Sequence, residues 1–199
     1  DNDDLTYYLT KGIDWEPIVK ATERGFIDPD GPQDTQEALA LYRDMAEMVG
    51  KFVADEIAPR AAAIDRHGVR LENGEAVQAP EMDDLFRQIK DLDLHWMCVP
   101  RELGGMNCPL LLYFLNTEMM ARADVSVGAH FGFHGGMALA MLIFSIREGT
   151  TEFEGSRITK TRFAAEIEEV ASGRAWGCMD ITEPDAGSDM AALRATAEQ

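Results

Sequence analysis

Residues 181–190 read ITEPDAGSDM, and the character of the chain changes around them. Upstream, apolar residues recur at helical spacing; here that spacing stops. Pro184 has no N–H to donate to a ladder, so it ends any strand that precedes it. Gly187 permits a tight turn or a close approach of backbone to a ligand. Ser188 and Asp189 suit turn and capping hydrogen bonds. The reading is a loop with exposed backbone N–H groups, hydroxyls at Thr182 and Ser188, and little bulk between them. Such a loop suits a flat, hydrogen-bonding ligand, and equally an ordinary corner between two strands. Its flanks, AWGCMDI (175–181) and LRATAEQ (193–199), read as strands. Two strands are not a stable sheet, so the rest of the sheet is expected from more polypeptide or from another chain.

Working back from this point, the pattern is helical. Residues 1–34 read as a polar N-terminal extension closed by the turn-rich IDPDGPQD. A long helix is predicted from Thr35, with Leu39, Tyr42, Met45, Val49, Phe52 and Ile57 on one face, ending or kinking at APR (58–60). Asn73-Gly74 predicts a hairpin or loop turn, and Pro80 opens a helix carrying Met82, Leu85, Phe86 and Ile89. LHWMCVPRELGGMNCP (94–109) breaks the periodicity and reads as a loop. Two further helices follow, over 110–123 and about 127–147. The second is apolar nearly all round and is expected to be buried on most faces. RFAAEIEEVASG (162–173) is an amphipathic helix ended by Gly173. The organisation is an extension over 1–34, a helical domain over 35–174, and the incomplete opening of a β domain over 175–199. The fold class is mainly α.

Composition narrows the function. With 36 acidic against 18 basic residues the formal charge is −18, which opposes binding to a nucleic-acid backbone or to anionic lipid. Three cysteines without a CxxC spacing argue against a disulfide framework or a zinc site and fit a reducing compartment, so a cytoplasmic location is expected. The apolar runs fall short of the ~20 residues that span a bilayer, so no membrane span is expected.

MDITEPDAGSD (179–189) resembles the first signature of the acyl-CoA dehydrogenase family. The resemblance extends over roughly residues 35–199. LDLHWMCVPRELGGMNCP (92–109) is similar to that family's Pro-Glu-x-Gly-Gly loop, with Asn107 and Cys108 in its glycine region, and TEMMARADVSVGAH (117–130) to the stretch between its central helices. The resemblance implies an N-terminal helical domain followed by the first strands of a β-barrel-like domain completed elsewhere. It implies FAD as cofactor and an acyl-CoA thioester as substrate, oxidised at Cα–Cβ to the 2-enoyl-CoA. It also implies an oligomer, homo- or hetero-, completed by a C-terminal part or second subunit and serving electron-transferring flavoprotein. Met179, Ile181 and Thr182 are implied to line the flavin ring, with the Thr182 hydroxyl near N5. Asp180 and Gly187 belong to the same cofactor-binding segment. Ser188 is implied to touch both cofactor and the CoA arm. The family's catalytic base, a glutamate, is not expected among these residues, so no catalytic residue is assigned. Two alternatives stay open: an acyl-CoA oxidase on the same fold, and a non-catalytic helical subunit completing a partner's flavin site.

Four further readings bear on the site. Glu118 and Phe114 are candidates for the end of the acyl pocket, which is expected as a narrow apolar tunnel between 110–123 and 127–147 opening toward Ser188. His130 and His134 stand four apart on one helix, but no acid or third ligand lies near in sequence, so packing or tunnel lining is expected rather than metal. SRITKTR (156–162) reads as a basic, solvated helix end. The 11 methionines read mostly as adaptable core filler.

Overall fold

The computed structural model describes residues 2–177 and 181–196. The first helices are α1 (Asp3–Tyr7) and α2 (Trp15–Thr22), with a π-helical turn, Tyr8–Gly12, between them. The first 34 residues, polar in composition, thus send Leu5, Trp15 and Val19 into the main core. The Trp15 ring lies 6.0 Å from that of Tyr42, and its Nε1–H donates to the Tyr8 carbonyl at 3.0 Å.

Helix α3 (Thr35–Phe52) starts at Asp34, whose carboxylate accepts the Glu37 N–H at 2.8 Å and so satisfies one of the orphan donors of a helix start. Its Ala38, Tyr42, Met45, Ala46, Val49 and Phe52 are buried. The chain widens to a π-helical turn over Val53–Ile57 and restarts as α4 (Ala61–His67), so the helix fails just ahead of Pro59, as the missing proline N–H requires. Strands β1 (Arg70–Glu72) and β2 (Glu75–Val77) pair antiparallel, Glu72 opposite Glu75. The two turn residues, Asn73 (φ 53°) and Gly74 (φ 87°), both take the left-handed conformation that a tight two-residue hairpin demands. Pro80 opens α5 (Pro80–Asp91), which buries Met82, Leu85, Phe86 and Ile89.

Helices α6 (Leu110–Ala123) and α7 (Val125–Arg147) are joined by a single residue. Asp124 closes α6 through its own N–H and caps α7, accepting the Ser126 N–H at 2.9 Å and the Val127 N–H at 3.2 Å. Helix α3 packs on α2 and α6, and α7 on α6 and α8 (Ala164–Ala171). Phe131 and His134 of α7 are fully buried, yet the helix is not covered on most faces: Phe133, Ile143, Phe144 and Ile146 are exposed. An all-round apolar composition does not state which faces a neighbour covers. By length and composition α7 is also long enough to cross a membrane. It is continuous through glycines, His134 and Ser145, which interrupt the apolar runs read from the sequence. Its Val127, Phe131, Ala138 and Leu142 face the protein core.

SRITKTR does not end a helix. Strands β3 (Glu152–Glu154) and β4 (Arg157–Lys160) form a second hairpin, with Ile158 turned inward between exposed neighbours. One apolar residue, Ile158, between polar neighbours is too short a signal to separate a strand from a polar helix terminus. At the far end of the domain, Gly173 (φ 64°) follows the last residues of α8 in the left-handed conformation that commonly stops a helix.

Candidate functional site

The segment read as cofactor-binding makes one tight reversal. The Glu183 N–H donates to the Ala186 carbonyl and the Ala186 N–H to the Glu183 carbonyl, both at 3.1 Å. The Glu183 carboxylate then accepts the backbone N–H groups of Arg194 (3.0 Å) and Ala195 (2.8 Å), closing a wider loop. Ala186 is buried. Thr182, Gly187 and Ser188 are exposed and Ile181 is half-buried. A Cβ added at Gly187 would meet nothing within 4 Å, and its φ is not left-handed. Neither turn geometry nor packing within the described residues therefore requires glycine there. Met179 and Asp180 lie outside the described residues. Beyond the isolated Glu183–Ala186 bridge no ladder forms over 181–196, since a strand needs a neighbour to pair with.

The chain reaches this segment from the C-terminus of α8, where a cluster of rings holds it. His95, from the 3₁₀ turn Leu94–Trp96, places Nε2 2.7 Å from the Ala171 carbonyl. His134 places Nε2 2.8 Å from the Val170 carbonyl. A carbonyl only accepts, so in both rings Nε2 carries the hydrogen. The rings lie 5.5 Å apart, His95 stacks on Trp96 at 5.1 Å, and Trp176 sits 4.2 Å from His134. Burial pushes both imidazoles below the usual histidine value, His134 to about 4. His130, a turn earlier on α7, stays half-buried 4.9 Å from Phe86. Sequence reading missed His95 and Trp176; the one signal was the adjacent His95-Trp96 pair inside an apolar run.

The loop over 94–109 is pinned by ion pairs that no local pattern announces. Arg101 donates to Glu23 at 2.7 and 3.2 Å and to Asp28 at 3.5 Å, and Arg24 pairs with Glu102. Glu23 is only 2% exposed and also accepts the Tyr42 hydroxyl at 3.4 Å. Burial alone would raise the Glu102 carboxyl, but hydrogen bonds from Arg24 and from the Ile158 N–H hold it below the usual value. Asn107 takes a left-handed φ of 55° and donates its side-chain N–H to the Thr22 carbonyl at 3.1 Å. Asparagine tolerates that conformation better than most residues. Cys98 and Cys108 are buried free thiols, Cys98 pushed up to about 12 by desolvation.

Part of the seam between the two central helices, where the tunnel is expected, is closed by direct contact. Gly128 lies so close to the Ala121 backbone that an added Cβ would stand 3.0 Å from it. The Tyr113 hydroxyl donates to the Gly132 carbonyl, and its ring stacks on Phe131 at 5.2 Å. Phe114 is 61% exposed and Glu118 is exposed one turn further along the outer face of α6. A cavity of about 210 Å³ opens beside Arg24, Arg101, Asn107 and Ser156, and one of about 350 Å³ beside Phe86, Lys90, His130 and Trp176. Neither is walled by α6.

Residues 41–154, more than half of the chain, match the family model described as acyl-CoA dehydrogenase, N-terminal domain. The chain is 29% identical over 166 residues to an isovaleryl-CoA dehydrogenase, mitochondrial, of Oryza sativa subsp. japonica, a match covering 83% of this chain and 34% of the relative. It is 31% identical over 169 residues to a 3-methylmercaptopropionyl-CoA dehydrogenase of Ruegeria pomeroyi, covering 81% of this chain and 26% of the relative. A very long-chain specific acyl-CoA dehydrogenase, mitochondrial, of Mus musculus is 26% identical over 153 residues, covering 77% and 21%. The matched region thus spans about a third or less of the length of these relatives. With its mainly helical architecture in agreement, this chain belongs to the acyl-CoA dehydrogenase family and corresponds to its N-terminal region.

Proposed function

We propose that this chain is the N-terminal portion of an FAD-dependent acyl-CoA dehydrogenase that converts an acyl-CoA thioester to the 2-enoyl-CoA and passes its electrons to electron-transferring flavoprotein. The observation that carries this reading is the presentation of Thr182 and Ser188 on an exposed loop beside Gly187, where open space faces the backbone. Two outward hydroxyls and a glycine not needed for the fold fit a flat ligand laid against the loop. When bound, FAD supplies the acceptor for the hydride lost from Cβ. The chain's own part is to bind and orient. Ile181 offers an apolar edge to a ring, Thr182 a hydroxyl donor, and Ser188 a donor shared with the CoA arm. Glu183 is engaged by two backbone N–H groups, so it holds the loop rather than abstracting the α-proton. Phe114 and Glu118 are retained as substrate-facing candidates on the open side of α6. A cytoplasmic setting is retained as part of this proposal.

The test is to purify the protein from its complete reading frame, measure bound flavin by visible absorbance, and titrate it anaerobically with acyl-CoAs of graded chain length. Bleaching with enoyl-CoA formation supports the reading. Absence of flavin, or no bleaching with any saturated acyl-CoA, sinks it. Peroxide in air, in place of reduction of electron-transferring flavoprotein, would assign the oxidase alternative.

Two substitutions probe the loop. Thr182→Val removes one hydrogen bond, worth about 0.5–1.5 kcal/mol, so flavin reduction or affinity should fall roughly twofold to tenfold with the fold intact. Stopped-flow reduction and flavin titration measure it, and unchanged values would remove Thr182 from the site. Gly187→Ala should leave unfolding stability within about 0.5 kcal/mol of the parent, because nothing lies within 4 Å of the new methyl. Flavin affinity should nevertheless drop. Equal affinity in parent and variant would show that no ligand approaches this backbone.

A further inference from the structure

The rings at the end of α8 do more than fill space. His95 and His134 are 2% and 1% exposed. They come from elements remote in sequence, yet they donate to the consecutive carbonyls of Ala171 and Val170. These carbonyls belong to the last turn of α8, and that of Val170 also accepts the Gly173 N–H at 3.0 Å. Both Nδ1 atoms are buried without a hydrogen-bond partner among the described residues. Gly173 is pressed into the same place: a Cβ there would fall 3.5 Å from His95 Nε2 and closer still to the Lys90 side chain. Trp176 closes the cluster against His134, five residues before Ile181.

We infer that His95 and His134 form a neutral-imidazole clamp, a pair of positioning residues that holds the end of α8 and the Gly173–Trp176 segment ahead of the Thr182–Ser188 loop and lets go when the pair is protonated. The inference rests on the proposed flavin reading only for what the loop meets; the clamp itself concerns this chain alone. Its logic is electrostatic. Each neutral ring supplies one Nε2–H to one carbonyl and leaves Nδ1 a bare buried acceptor; a second proton keeps the Nε2–H but adds an Nδ1–H that on His134 has no acceptor among the described residues. A second proton would place a cation in a desolvated cluster beside another imidazole. The charges that act on the pair are few. On His95, burial opposes a charge most; the Ala171 carbonyl and Asp93 favour it, Lys90 of α5 opposes it, and the Ile89 carbonyl would accept from the protonated ring. His95 opposes a charge on His134, while the Val170 carbonyl favours it. His130 of α7 points to Phe86, and Glu168 and Glu169 of α8 are exposed. Because burial holds both rings below the unfolded histidine value, the clamp is complete above about pH 6.5 and is lost as pH falls toward the folded values.

The test uses the 199-residue chain without flavin, so its outcome is independent of cofactor binding. Nitrogen-15 labelling of the histidines at neutral pH should show both rings neutral with hydrogen on Nε2. Either ring carrying hydrogen on Nδ1, or already doubly protonated, overturns the clamp. Hydrogen exchange is then read at the amides of Gly173, Arg174 and Ala175, which bond back to Val170 and Glu169 carbonyls at 3.0–3.3 Å. After correction for intrinsic rates, their protection should fall at least about tenfold between about pH 7.5 and about pH 5. The double variant His95→Gln with His134→Gln keeps an N–H near each Nε2 position but does not titrate, so it should hold its protection within about twofold over the same window. Equal acid loss in parent and variant rejects the proposal. If the double variant does not fold, the tautomer measurement on the parent chain decides alone.

Discussion

Arg101→Ala should lower the unfolding free energy of this chain by about 3–5 kcal/mol, the cost of leaving one partner of a buried ion pair uncompensated. The stranded group is Glu23, 2% exposed, which the Arg101 guanidinium meets with two hydrogen bonds. Asp28 shares that guanidinium, so its removal also leaves two carboxylates facing each other. Whole domains have about 5–15 kcal/mol to lose, so a large part of the population would unfold under mild denaturant. Arg101→Lys should recover little, because an ammonium cannot reproduce the planar two-pronged contact. Joint replacement, Glu23→Leu with Arg101→Met, should recover most of the loss, since it removes both charges together. Urea unfolding followed by helix ellipticity reads all three variants. A loss under about 1 kcal/mol for Arg101→Ala would mean that water reaches Glu23 and the pair behaves as a surface bridge.

Gly105→Ala should be the most damaging single-methyl change in the same loop. A Cβ built on Gly105 falls 2.5 Å from the Val99 carbonyl carbon and nearer still to its oxygen. That carbonyl accepts the Asn107 N–H at 2.9 Å, and Gly105 itself donates to the Pro100 carbonyl at 3.1 Å. The obstacle is backbone, so no rotamer relieves it; the turn must open and give up these bonds. Overpacking typically costs about 1–3 kcal/mol, and the lost turn hydrogen bonds add about 0.5–1.5 kcal/mol each. Gly104→Ala makes a useful comparison. Its Cβ would meet the edge of the Trp96 ring at 3.0 Å, and its φ of 92° disfavours a side chain, but no backbone blocks it. The thermal midpoint should fall further for Gly105→Ala than for Gly104→Ala. The reverse order would place the restriction in φ rather than in the Val99 contact.

The same loop shows where sequence reading stops. The paired glycines announce a turn, and so does Pro100. Nothing local says that Arg101 reaches back to Glu23 or that Arg24 reaches forward to Glu102, because the partners lie 78 positions apart. Asn107 stands in the glycine region of the family's loop, and its left-handed φ accounts for that substitution. At the candidate cofactor segment, the tight reversal was legible in Pro184, whereas Gly187 lies just after it with no left-handed φ. The engagement of Glu183 by Arg194 and Ala195 was not, since a carboxylate's choice among backbone donors depends on where the chain returns.

Helix positions were determined by the sequence because their causes are local. Pro80 starts one helix, Asp34 and Asp124 cap two others, Gly173 ends another, and the apolar spacing of Tyr42, Met45, Val49 and Phe52 selects the buried face of α3. Tertiary structure alone decided three things. It turned the polar first residues into helices that bury Trp15 and Val19. It brought α6 and α7 into contact where Gly128 sits on Ala121. It brought His95 and His134 to adjacent carbonyls of α8. The first and last are contacts between segments far apart in the chain, and Gly128 meets Ala121 only because the chain reverses at Asp124 between the two helices. Composition and periodicity describe how one segment meets its own backbone and the boundary with water. They carry no information about which other segment supplies a partner for an orphan carbonyl or a buried charge.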